Sequence, residues 1–169
     1  MPRRTLTFVA LALAACDAKG TSTAAPAPAA TASARAPGRG APRFEHAPPG
    51  ADFAAVVRAR RDAAEADGRR VLVYVGAPWC EPCQRFHRAV EEGKLDDQLA
   101  GLTFLELDSE TDGVRLRDAG YVSKYIPLFA VPGPDGRMAR SIEGSIKGDG
   151  AVAQITPRLL RLLEGLPTR

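Results

Sequence analysis

Residues 75–86 read VGAPWCEPCQRF, and the fold turns on how Cys80 and Cys83 in that stretch are read. Two cysteines separated by two residues fit a redox dithiol, half of a zinc site or a haem attachment signal. Haem attachment needs a histidine directly after the second cysteine, and that residue is Gln84. A closed zinc site needs four ligands. Cys80, Cys83 and His87 supply three, the only other histidine is His46, and no second pair of this spacing exists. A purely structural disulfide is open to an exported protein, but so short a loop constrains the unfolded chain little. No metal is therefore expected. The redox reading accounts for more of the surroundings, because the pair follows a strand and opens a helix.

The strand is RRVLVYVGA, residues 69–77, a β-branched run bounded by charge and glycine. After Cys80 the pattern becomes helical. Phe86, Ala89, Val90 and Gly93 fall on one face, and Gln84, Arg85, Arg88 and Glu91 on the other. Free amide groups at a helix N-terminus stabilise thiolate, the reactive form. Cys80 is thus expected to be the attacking thiol, exposed at the turn, with Cys83 the more buried resolving thiol and the two joined as a disulfide when oxidised. Pro82 costs no hydrogen bond at a helix start. Exchange of this kind needs no cofactor.

Working outward, ADFAAVVRARRDAAEADG (residues 51–68) places Phe53, Val56, Val57, Ala63 and Ala64 near helical spacing, with Gly68 as the stop. LTFLELD (102–108) is a second buried strand, and a short helix is expected around 112–119. PLFAV and RMARSIE, joined by the turn formers of PGPDG, predict an antiparallel hairpin. Thr156-Pro157 reads as an N-cap and first helical residue, followed by Leu159, Leu162, Leu163 and Leu166. The expected order over residues 51–169 is helix, strand, helix, strand, helix, strand, strand, helix. That order predicts an α/β domain whose central mixed sheet of four to five strands is flanked by helices, its first strands parallel.

At this point APWCEPCQRF resembles the active site of the thioredoxin family, and the likeness in element order runs from about Val71 to Leu163. The resemblance implies a thioredoxin-like fold and thiol–disulfide oxidoreductase activity. YIPL at 125–128 resembles the segment in which that family has a cis-proline beside the dithiol, here Pro127. A cis bond there would offer the Ile126 backbone to a substrate strand. Gly144 sits where the family has a glycine near the substrate surface, although composition alone makes it a turn glycine. Trp79 corresponds to a residue that shields the dithiol; without the likeness it reads as a half-buried packing residue. Two positions depart from the pattern. Tyr74 replaces a buried aspartate, and Glu106 replaces a lysine on the next strand. Glu106 is expected to approach the dithiol and act as its proton relay, its carboxyl pKa raised by burial; the alternative is that it pairs with an arginine or reaches solvent. His87 reads as a helix-surface histidine. Glu81, between the cysteines, is expected to disfavour thiolate by charge repulsion. With Pro82 beside Cys83, as in reducing members of the family, this leans the pair towards a reductant.

The first residues carry a separate message. MPRRTLTFVALALAAC has a basic start and an apolar run, Leu6 to Ala15, far short of the roughly twenty residues a membrane-spanning helix needs. It reads as a signal peptide over residues 1–15. LAAC, residues 13–16, resembles the bacterial lipobox, which implies cleavage before Cys16 and lipidation of that cysteine. Residues 17–50 contain no Leu, Ile, Val or Met and one aromatic, Phe44. Such composition predicts a disordered tether reaching on the order of 30 Å. Together these features place the domain in the bacterial cell envelope, lipid-anchored and facing the periplasm.

The formal net charge of +3 is mild, and no Lys/Arg run is interleaved with aromatics, so nucleic acid is not an expected partner. The expected partners are exported proteins with disulfides, a membrane electron donor and the membrane itself through Cys16. Two other classes remain open from sequence: a binding module that keeps the fold without exchange, and a disulfide-forming oxidant.

Overall fold

The computed structural model describes residues 40–49 and 52–165. Signal peptide, Cys16, the tether as far as residue 39 and Leu166 lie outside the described residues. The elements are β1 (Arg43–His46), α1 (Phe53–Ala66), β2 (Arg70–Gly76), α2 (Glu81–Glu91), β3 (Leu102–Asp108), α3 (Gly113–Asp118), β4 (Leu128–Pro132), β5 (Met138–Glu143) and α4 (Ala151–Leu163). They build a mixed five-stranded sheet in the order β1-β3-β2-β4-β5. β1, β3 and β2 are parallel, β4 is antiparallel to β2, and β5 closes the hairpin expected around residues 132–136.

Period-two alternation sorts the central strands into two faces. Val71, Val73, Val75, Leu105 and Leu107 pack with Phe53 and Val57 of α1 and Leu116 of α3. Leu72, Tyr74, Leu102 and Phe104 pack on the other side with Phe86, Ala89 and Val90 of α2 and Ile155, Leu159 and Leu162 of α4. The dithiol belongs to this second face.

Two sequence expectations are corrected. Composition predicts an unfolded tether as far as residue 50, yet Arg43–His46 form an edge strand on β3. Phe44 explains the ordering, since its ring packs on Phe104 at 5.1 Å and edge-on to Tyr74 at 5.3 Å. Polar clamps reinforce it. Arg69, itself buried, donates to the Ala41 carbonyl at 2.9 Å and to Thr103 Oγ1 at 3.0 Å, and Arg115 donates to the Pro48 carbonyl at 2.6 Å. The last helix also begins earlier than Thr156-Pro157, with Pro157 inside it. A proline in a helix interior costs about 3 kcal/mol. The added first turns bury Ala151 and Ile155 completely, which offsets that loss. Thr156 caps nothing; its hydroxyl donates to the Val152 carbonyl at 2.8 Å.

Candidate active site

Cys80 is the N-cap of α2, immediately after β2 and its short turn. Cys80 and Cys83 are joined as a disulfide, with their Cα atoms 5.2 Å apart. The Cys83 amide points at the Cys80 sulfur, N to Sγ 3.3 Å, so a first-turn amide faces the atom that would carry thiolate charge. Cys80 is not exposed at the turn as expected. It is 4% exposed and Cys83 3%, because both sulfurs close into the apolar face with Phe86 and Ala77. Pro82 takes one of the first two helical positions, where a missing amide is tolerated.

The Glu81 charge is not left to repel a thiolate. Its carboxylate pairs with Arg85 and accepts the Gly148 amide at 3.0 Å. The Arg85 hydrogen bond, with help from Gly148, holds the Glu81 pKa below the usual carboxylate range. Arg85 in turn reaches Asp149 at 2.6 Å. Trp79 is not half-buried: it is 63% exposed, and its indole N–H donates to Glu110 Oε1 at 3.1 Å.

The Ile126–Pro127 peptide is cis and runs directly into β4, where Leu128 faces Val75. It therefore lies at the end of the sheet where β2 runs into the cysteine turn, and Ile126 packs against both faces of the core. Gly144 is bound to this segment. Its amide donates to the Pro127 carbonyl at 2.9 Å, its φ is +67°, and a Cβ there would lie 3.1 Å from the Tyr125 Cβ. Glu143 accepts from the Lys124 amide at 2.8 Å, and Arg158 donates to the Gly144 carbonyl at 2.7 Å. The loop is thus held from β5 and α4 together.

Register explains Tyr74 and Glu106. His46, Glu106, Tyr74 and Phe129 are successive partners across β1, β3, β2 and β4, a single row on the α2 face. Glu106 pairs with no arginine among the described residues. Its Oε1 meets His87 Nε2 at 2.5 Å and its Oε2 lies 3.3 Å from His46 Nδ1. His87 is not a surface histidine: its ring stacks on Phe44 with centroids 3.6 Å apart and planes at 11°. Tyr74 is fully buried, and its hydroxyl has no hydrogen-bond partner among the described residues. Burial first, and the Glu106 carboxylate second, push its pKa above the ordinary phenol range. Tyr74, Cys83, His87, Glu106 and His46 all line one open cleft of about 970 Å³.

Sequence reasoning missed His46 and underrated His87. The available signal was the helical spacing of Cys83 and His87, which puts both on one side of α2. His46 carried no comparable signal, because its strand is defined by pairing with β3, far along the chain. Among the described residues no group of three or more His, Cys, Asp or Glu is arranged to hold a metal, and no helix is long and apolar enough to cross a membrane.

Residues 52–134 match the family model described as thioredoxin-like. Among solved structures, the chain is similar to a mutant thioredoxin from Halobacterium salinarum NRC-1, with 20% identity and a TM-score of 0.45 over 75% of this chain and 95% of that one. It is also similar to poplar thioredoxin h, with 22% identity and a TM-score of 0.39 over 64% of this chain and 88% of that one. No curated protein matches. The family match and the strand order together identify a thioredoxin-like fold. A thioredoxin-like domain with so close a cysteine pair is built for thiol–disulfide exchange.

Proposed function

We propose that this domain is the working end of a lipid-anchored, periplasm-facing thiol–disulfide oxidoreductase that reduces disulfides in exported proteins. The observation that carries the reading is the Cys80–Cys83 disulfide at the N-cap of α2, at the same end of the sheet as the Ile126–Pro127 segment. In the reduced protein, the Cys80 thiolate attacks one sulfur of a substrate disulfide and expels the other as thiolate. Cys83 then attacks the Cys80 sulfur, releasing the second substrate thiol and re-forming the disulfide. Two electrons pass to the substrate, and a membrane-held dithiol donor returns them.

The remaining residues take supporting parts. Ile126 offers backbone to an extended substrate segment, Pro127 and Gly144 shape that surface, and exposed Trp79 adds an aromatic face beside it. With the Glu81 charge paired to Arg85, the reducing direction rests on Pro82 and on topology. Residues 84–126 hold only the remainder of α2, then β3 and α3, without the helical insertion of dedicated oxidants. The envelope location rests on the basic and apolar start of the chain and on LAAC at 13–16.

The test is turnover of a protein disulfide with dithiothreitol as electron source. Catalysis lost in Cys80→Ala supports the reading. A well-folded domain that gives no stimulation would instead favour a binding module. Equilibration with glutathione buffers sets the direction, and a potential well above the glutathione pool would contradict the reductant assignment.

A further inference from the structure

We propose that His87 is the base that takes the proton from the Cys83 thiol during resolution, with Glu106 and His46 as its positioning residues. This deepens the exchange reading and rests on it. Cys83 and His87 are one helical turn apart on the same side of α2. Both line the same cleft, as does Tyr74, whose buried hydroxyl has no hydrogen-bond partner among the described residues. With Nε2 donating to Glu106, Nδ1 is the nitrogen that a neutral imidazole offers as acceptor. Stacking on Phe44 and an edge contact with Tyr74 at 5.3 Å hold the ring plane.

Exposure is low at the sulfur and high at His46. Cys83 is buried, the side chains of Glu106 and His87 are 18% and 25% exposed, and His46 is 90% exposed. A proton taken at His87 therefore has a path through Glu106 and His46 to solvent. Charged groups line the cleft from β1, β3, α2 and α3. Glu106 and Asp108 face the cleft from β3, Asp112 and Asp118 from α3 and its N-cap, and Glu91 from α2. Against them stand His46 from β1, Arg88 from α2 and Arg115, whose charge is taken by Asp112 at 2.8 Å; Tyr74 stays neutral.

Atoms and electrons balance within the mixed disulfide. Cys83–SH gives its proton to His87, the Cys83 thiolate attacks Cys80 Sγ, the Cys80–substrate S–S bond breaks, and the leaving sulfur departs with the electron pair. No outside oxidant is needed, because the mixed disulfide is itself reduced.

The reduced domain reacting with a symmetric nitroaromatic disulfide separates the two steps. The first coloured thiolate reports attack by Cys80 and the second reports resolution by Cys83. The ratio of second to first rate constants is the readout. His87→Asn is expected to lower it about 100-fold near neutral pH, in the range of general-base contributions, and to replace the wild-type pH profile with a steady rise towards the thiol pKa. Glu106→Gln is expected to lower it about tenfold, the scale of lost orientation by a supporting group. Imidazole in the buffer is expected to raise the ratio in His87→Ala. A wild-type ratio and pH profile in His87→Asn overturns the proposal. So do equal losses in both phases, which would assign His87 to packing, and a ratio that imidazole leaves unmoved. Zinc co-purifying in a His87- and Glu106-dependent manner also overturns it. Absence of a first phase in the wild-type protein overturns the exchange reading itself.

Discussion

The two faces of the sheet are built on different terms. Towards α1 and α3 the strands present Val71, Val73, Val75, Leu105 and Leu107, aliphatic and interlocked. Towards α2 and α4 they present Leu72, Tyr74, Phe104 and Phe129, with Phe44 and Phe86 completing an aromatic cluster around the dithiol. Among the described residues, only on that side does a strand row carry a carboxylate and a histidine. Adjacent residues 105 and 106 show the division in its smallest form. Leu105 is wholly buried on the aliphatic side, while Glu106 reaches His87 and His46 on the other. One face holds the domain together, and the other gives up aliphatic packing for groups that handle charge.

The sharpest separation comes from deleting a sulfur. Cys80→Ala is expected to drop disulfide turnover to the uncatalysed background while the thermal transition of the protein stays close to that of the reduced wild type. Leu105→Ala should do the reverse, costing about 3 kcal/mol in a denaturant titration while leaving the ratio of resolution to attack intact. If Leu105→Ala changed that ratio as strongly as Glu106→Gln, the two faces would not be separable. Phe44→Ala bridges the two. It is expected to cost about 2 kcal/mol, because the ring is only partly buried, and also to slow resolution by freeing the His87 ring.

The two buried tyrosines give a finer comparison. Tyr121, on the aliphatic side, donates to the Gly136 carbonyl at 2.8 Å, whereas the Tyr74 hydroxyl has no partner among the described residues. At neutral pH Tyr121→Phe should cost about 1 kcal/mol and Tyr74→Phe less than that. Burial raises both phenol pKa values above the ordinary range, the charge of Asp135 adding to Tyr121 and that of Glu106 to Tyr74. The unfolded chain ionises first. Stability is therefore fully present below about pH 10 and falls above it, by about 1 kcal/mol per pH unit for each phenol. Either Phe variant should flatten that fall, and melting temperatures between neutral and strongly alkaline pH would measure it.

Local signals carried much of this structure. The β-branched run before the cysteines, the amphipathic stretch after them and the PGPDG turn each name their element within a few residues, and the parallel pairing of β2 and β3 follows from the alternation of strand and helix. What stayed hidden depended on distant partners. RFEH at 43–46 lies in a stretch whose composition argues for disorder, and it becomes a strand only because β3 offers an edge and Phe104 a ring to pack on. The same hidden strand delivers His46, so the environment of Glu106 was equally illegible. At the other end, Thr156-Pro157 is a sound local start signal overruled by burial of Ala151 and Ile155. A turn position argues for an exposed Cys80. The chain here folds the N-cap sulfur back beneath Ala77 and Phe86 instead.

The central claim is that Cys80 attacks a protein disulfide and Cys83 resolves it, and covalent trapping tests it most directly. In cells carrying the full chain as Cys83→Ala, partner proteins should accumulate in dithiothreitol-sensitive complexes through Cys80, and Cys80→Ala should show none. Identical, empty patterns from the two variants, with both domains folded, would contradict the account.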